Sequence, residues 1–252
     1  MISETEKQLA LNFREDGYIF IPGFLNENEL SAVTSHLKEM IQKKVPAMPP
    51  EHAFYEDRND LTTLKQIQTL FTYDPFFHEM MFNSRFEKLA ELLLNDGVVG
   101  KNMQYFNKPP KVGMPTPPHQ DGYYFMLEPN EAVTIWLGLD DVDEENGCVR
   151  YAKGSHLKGL RPHAKTQTLG FSQGISDYGP DDENQEIWFK TKPGDLLAHH
   201  SLTIHRADNN KSDARTRRAL GFIYYAQKAK ENREAKEKYQ QKLAEEIRNQ
   251  AK

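Results

Sequence analysis

The feature that most constrains this chain is the stretch from Gly97 to Ala226. Long helical periodicity is missing there, and short β-rich runs alternate with Gly, Pro, Asn and Asp. Gln104-Tyr105-Phe106, Val133-Thr134-Ile135-Trp136-Leu137, Cys148-Val149-Arg150-Tyr151, Glu186-Ile187-Trp188-Phe189, Asp195-Leu196-Leu197-Ala198 and Arg218 to Tyr225 are such runs. Short strands packed this densely suggest a barrel or a jelly roll.

Helical patterns flank that core. Ser3 to about Glu15 reads as a first helix, and Gly17 to Gly23 as a short strand ended by a turn. Asn26 or Asn28 can cap a second helix from about Glu29 to Lys43, where Leu30, Val33, Leu37, Met40 and Ile41 recur at helical spacing. Pro46 to Pro50 breaks the chain, Asp60 to Thr69 reads as loop passing into strand, and Asp74 to Asn95 as helix. The charged tail, Ala229 to Lys252, is expected to be an external helix with Tyr239, Leu243 and Ile247 as a thin apolar stripe, an oligomer contact being the minority reading. All 252 residues are expected to form one domain: a helical part over about 1–96, a core over about 97–226 and a helix over about 229–252.

Composition narrows the function. Hydrophobic residues at 38% and charged residues at 27% describe a globular chain, not a disordered one. No apolar run reaches the roughly 18 residues of a membrane span, and the acidic start, Met1 to Glu6, lacks the pattern of a secretory signal. The single cysteine, Cys148, excludes an internal disulfide and a multi-thiolate metal site, reads as a buried small hydrophobe, and points to a reducing compartment, the cytoplasm. A net charge of −5 argues against nucleic acid as a partner and leaves room for a local basic pocket for a small anion. Nothing in the sequence sets the oligomeric state.

The chemistry starts at Pro117-Pro118-His119-Gln120-Asp121. In a strand, residues two apart face the same side, so His119 and Asp121 would present an imidazole and a carboxylate together, with Tyr123 on that side too. A further histidine from a distant strand would complete a two-histidine, one-carboxylate face with open positions, as non-haem iron(II) oxygenases need. Pro193-Gly194-Asp195 enters a buried strand that runs into His199-His200-Ser201-Leu202-Thr203-Ile204-His205, so His205 has His199 and His200 as rivals. Beyond the polar turn Asn209 to Ser212 lies Arg217-Arg218-Ala219-Leu220, where an arginine can pair bidentately with a carboxylate. 2-Oxoglutarate has such a carboxylate at its far end.

Taken in order, several stretches resemble the phytanoyl-CoA dioxygenase family of iron(II)/2-oxoglutarate oxygenases. They are Asn107 to Pro110, His119 to Phe125, Trp136 to Asp143, Glu145 to Cys148, Gly154 to His156, Pro193 to Asp195 and His205 to Leu220. Asp16-Gly17-Tyr18 through Pro22-Gly23-Phe24-Leu25 is also similar. The resemblance implies a double-stranded β-helix, a cupin-like jelly-roll barrel that is mainly β with flanking helices. It implies iron(II) on His119, Asp121 and His205, with 2-oxoglutarate and O2 as cosubstrates. Arg217 is the matching cosubstrate arginine, with Arg215 and Arg218 as alternatives; Trp136, Gln104 and Lys65 are candidates for the same pocket. The implied reaction couples decarboxylation of 2-oxoglutarate, to succinate and CO2, to hydroxylation of a small organic molecule. Asp121 favours hydroxylation or a related oxidation, because related halogenases have a small residue there. The alternatives are another outcome on the same iron site (desaturation, epimerisation or ring formation) and a binding protein without catalysis.

Arg161 to Gln185 reads as a long loop that could act as a lid, where Arg161, His163 and Lys165 could meet an anionic substrate. An aromatic cage from Tyr123, Tyr124 and Trp136 would suit a quaternary amine. Asn146-Gly147 and Gly154-Ser155-His156 read as structural turns.

Overall fold

Two antiparallel sheets carry the chain, and the computed structural model describes residues 3–166, 173–239 and 241. The major sheet has seven strands, in spatial order Tyr18–Ile21, Leu196–His200, Ala132–Gly138, Arg217–Ala226, Val98–Lys108, Leu64–Ile67 and Ala53–Tyr55. The minor sheet has four, Glu186–Phe189, Val149–Ala152, His205–Ala207 and Thr116–His119. The mainly β architecture with flanking helices is therefore as expected, with these strands divided between separate sheets.

Alternation gives the major sheet two different faces. Val133, Ile135, Leu137, Leu220, Phe222 and Tyr224 join the main core with the N-terminal helices. Thr134, Trp136, Arg217 and Ile223 face a cavity instead. The minor sheet closes that cavity with His119, Val149, Tyr151, His205 and Ala207. One glycine makes room beside it. Gly221 is register partner to both Gln104 and Trp136, and a Cβ there would sit 2.6 Å from the Phe106 ring.

The helices pack on the outer face for local reasons. Helix Glu4–Asp16 begins with a capping box of Ser3 and Glu6, and Gly17 ends it in the left-handed conformation (φ 85°). Helix Glu27–Lys43 is capped by Asn26, not Asn28, and buries Val33, Leu37 and Met40. A cap of this kind contributes about 1 kcal/mol.

Several boundaries differ from the sequence reading. Asp74 to Asn95 forms two helices, Pro75–Met81 and Arg85–Leu94. Asn83 turns left-handed (φ 53°) between them, and the Ser84 hydroxyl accepts from the Phe86 and Glu87 amides to start the second. The expected long loop from Arg161 to Gln185 contains structure. His163–Lys165 pairs with Gln173–Ile175 as a hairpin, and Pro180–Glu183 is a helical turn. In the tail, residues 233–239 are helical; Leu243 and Ile247 lie outside the described residues.

Candidate active site

His119, Asp121 and His205 come together at the cavity, with one ligand atom from each lying within 4.8 Å of the others. The route differs from simple strand alternation. His119 is the last residue of its strand and Asp121 the first of a short helix, Asp121–Phe125. That helix turns Tyr123 away, so Tyr124 and Phe125 line the cavity and Tyr123 stacks on the His163 ring at 4.3 Å. His205 arrives from the neighbouring strand of the same sheet as the register partner of His119.

Hydrogen bonds set the tautomers of both histidines. His119 Nδ1 donates to the Pro117 carbonyl (2.9 Å) and His205 Nδ1 to the Thr203 carbonyl (3.0 Å). A carbonyl only accepts, so each Nδ1 carries the proton and each Nε2 keeps a lone pair. Those Nε2 atoms lie 3.5 Å and 3.7 Å from Asp121 Oδ1. Burial, reinforced by His119 and His199, pushes the His205 pKa well down, which keeps the ring neutral. Burial alone would raise the Asp121 pKa, but the histidines around it, with His199 Nε2 donating at 3.1 Å, hold it well below the ordinary range. A carboxylate beside two imidazole Nε2 atoms is a donor set that fits iron(II).

Of the three candidate arginines, only Arg217 lines the cavity. It is 6% exposed, and its Nε donates to the Gly147 carbonyl at 3.1 Å. Among the described residues it has no carboxylate partner. Burial lowers its pKa to about 10, which leaves it cationic at neutral pH. Arg215 is held by Asp143 and Glu145, and Arg218 by Asp140. Arg217 Cζ lies 5.6 Å from the Trp136 ring centroid.

Trp136 and Gln104 also line the cavity, whereas Lys65 does not. Strand alternation sends Lys65 to Glu56, 3.3 Å away, and turns its neighbour Gln66 inward, where Gln66 donates to Gln104 Oε1 at 3.3 Å. His199, a rival ligand, contacts Asp121 Oδ2 from the other side at 3.1 Å. His200 lies elsewhere, bonded to the Leu202 amide and 3.6 Å from Glu131. Arg161 is engaged by Asp177 and Asp182, and the His163 Nε2 accepts from the Gln120 amide at 3.2 Å. The cage of Tyr123, Tyr124 and Trp136 is not assembled, since Tyr123 does not line the cavity.

Sequence reasoning missed Gln66, Gln68, Phe106, Thr116 and Tyr151 on the cavity wall. A period-2 reading of the Gln66-Ile67-Gln68 strand end would have put both glutamines on one face. It read Asn146-Gly147 as a turn and missed that the Gly147 carbonyl holds Arg217. The whole cavity has a volume of about 290 Å³.

Comparison with known proteins agrees with this geometry. The peroxisomal phytanoyl-CoA dioxygenase of Bos taurus is 33% identical over 133 residues, covering 50% of this chain and 39% of that protein. A phytanoyl-CoA dioxygenase of Arabidopsis thaliana is 25% identical over 244 residues, covering 83% of this chain and 85% of that one. This chain thus spans well under half of the bovine relative and most of the plant one. Among solved structures, SnoK, a non-heme alpha ketoglutarate dependent carbocyclase from nogalamycin biosynthesis, superposes with a TM-score of 0.70 at 27% identity, over 88% of this chain and 85% of SnoK. The sequence profile of the phytanoyl-CoA dioxygenase (PhyH) family matches residues 13–219, most of the chain, and the chain belongs to that family.

Proposed function

We propose that the chain is an iron(II)/2-oxoglutarate-dependent dioxygenase that hydroxylates a small organic molecule. The observation that carries this reading is one cavity lined by both the His119–Asp121–His205 cluster and the uncompensated guanidinium of Arg217. Iron(II) with 2-oxoglutarate and O2 would supply an oxidant able to attack C–H bonds, O2 being consumed and 2-oxoglutarate leaving as succinate and CO2.

The protein's own part is positioning. His119 and His205 offer their Nε2 lone pairs because carbonyls fix their tautomers. Arg217 meets the far carboxylate of the cosubstrate. Its Nε is already used on Gly147, so the terminal nitrogens are left for the carboxylate. Trp136 and Gln104 flank it, Trp136 as an apolar wall and Gln104 as a hydrogen-bonding group. Gln66, Gln68, Thr116 and Tyr124 give the remaining wall uncharged polar groups, and Phe106, Phe125 and Ile223 its apolar surface. The two walls limit water at the place where reactive chemistry occurs.

The likeness to a carbocyclase supports ring formation as a second outcome on the same site. We further read the fold as a double-stranded β-helix closed around this cavity, and the chain as a single domain, because the N-terminal helices and the major sheet share one core. The net charge of −5 supports a small-molecule partner over nucleic acid, and the lone buried Cys148 supports a reducing compartment such as the cytoplasm. No described helix is long and apolar enough to cross a membrane.

The test is conversion of 2-oxoglutarate to succinate by the purified protein. The reading expects succinate that depends on both iron(II) and O2, even without a prime substrate, and none from His205→Ala. Iron-dependent oxygen uptake with no succinate would remove 2-oxoglutarate from the account.

A further inference from the structure

Asp121 Oδ2 is already occupied by the protein. It accepts from Thr134 Oγ1 at 2.6 Å and from His199 Nε2 at 3.1 Å. Oδ1 is the oxygen that faces the Nε2 atoms of His119 and His205. The two oxygens of one carboxylate therefore have different surroundings.

We propose that Thr134, His199 and Tyr151 form a positioning unit that holds back Asp121 Oδ2, so that Asp121 meets the metal through Oδ1 alone. This rests on the iron-site reading above. An oxygen that accepts two hydrogen bonds has both in-plane lone pairs engaged and cannot swing toward a metal without breaking them. One-atom coordination by Asp121 leaves more of the metal's positions to cosubstrate and O2 than two-atom coordination would.

The third member sets the direction of the second bond. A carboxylate only accepts, so His199 must carry its proton on Nε2 to bond Asp121. Its Nδ1 is then an acceptor, and the Tyr151 hydroxyl, 2.9 Å away, donates to it. Tyr151 is fully buried and stacks on Tyr18 at 5.1 Å, which fixes the ring. His199 is 3% exposed and Thr134 7%, so bulk water offers little replacement. Sheet register builds the unit: His199 is paired with Tyr18 on one side and Thr134 on the other. None of the three is a metal ligand here; each acts through Asp121.

Cobalt(II) is a suitable probe, because its visible d–d bands report coordination number without turnover. The experiment compares cobalt(II) affinity and spectrum in the wild type, His199→Phe, His199→Gln and Tyr151→Phe. His199→Phe keeps an aromatic ring and loses the donor, so affinity should fall about 10- to 100-fold with altered band shape. His199→Gln offers an amide donor near the same oxygen and should recover most of the affinity and the wild-type bands. Tyr151→Phe frees the His199 tautomer and should fall between them. Wild-type affinity and bands in His199→Phe overturn the proposal. So does a His199→Gln as impaired as His199→Phe, since ring packing alone would then be at stake. If His199→Phe does not fold, Tyr151→Phe decides: unchanged affinity and bands overturn the proposal. A wild type that binds no cobalt(II) sinks the iron-site reading first.

Discussion

Three arginines within four residues fall into two settings, and their partners separate them. Arg215 and Arg218 are surface-side members of carboxylate pairs, 37% and 38% exposed. Arg217 sits between them in sequence, points the other way and is buried without a carboxylate. Charge left uncompensated inside a protein is costly, so a site that keeps it has an anionic ligand to gain. Arg217→Ala should raise the KM for 2-oxoglutarate about 100-fold, or about 2.7 kcal/mol, with the metal still bound. Arg215→Ala removes exposed ion pairs and should leave that KM within about twofold. Steady-state kinetics on both variants checks this; a large effect in Arg215→Ala with none in Arg217→Ala would reassign the cosubstrate arginine.

At the scale of elements, much was legible because local signals and tertiary packing agree. Ser3 and Asn26 are strong caps, and the helices they start are where the pattern put them. His119, Asp121, His205 and Arg217 were legible as a set through the stretches that resemble the family, and they meet at one cavity. The misses have physical causes. The apolar run through Asp74 to Asn95 hides a break, because one left-handed Asn83 and a Ser84 cap do not interrupt hydrophobic spacing. His-x-Asp looks like strand alternation, yet the strand ends at the histidine and a helical turn delivers the aspartate. Lys65 was one residue out of register with the cavity face, since a slip of one reverses every side chain.

The minor sheet adds an electrostatic element that spacing alone could not reveal. Glu186 is bonded by Arg150, Arg206 and Tyr178, and its side chain is 3% exposed. Burial raises its pKa, but those partners outweigh burial and set it below the ordinary 4.5. A carboxyl with a depressed folded-state pKa stabilises the fold above its unfolded pKa. That stabilisation is lost as pH falls through the ordinary carboxylate range toward the folded value. Glu186→Gln should therefore lose about 3 kcal/mol at neutral pH, the lower end for breaking a buried pair because Asp208 still pairs with both arginines. Its unfolding free energy should also fall less than the wild type's on acidification. Urea titrations at neutral and acid pH measure both; parallel pH profiles in the two proteins would show that Glu186 contributes nothing to the acid limb.

For the whole molecule, the proposed reaction asks metal, cosubstrate and substrate to share the one cavity that the two sheets line. Its candidate metal ligands lie far apart in sequence, His119 and Asp121 early and His205 late. Metal binding should therefore stabilise the fold as a whole. Manganese(II), a redox-quiet stand-in, at about 100 times its Kd should add about 2.7 kcal/mol to stability. That should raise the melting temperature by roughly 5–10 °C in the wild type and not in His205→Ala. The most direct test of the central claim is the visible spectrum of the anaerobic protein with iron(II) and 2-oxoglutarate. The account expects a weak charge-transfer band on adding 2-oxoglutarate, absent in His205→Ala and weakened in Arg217→Ala. Iron binding without that band in the wild type would contradict it.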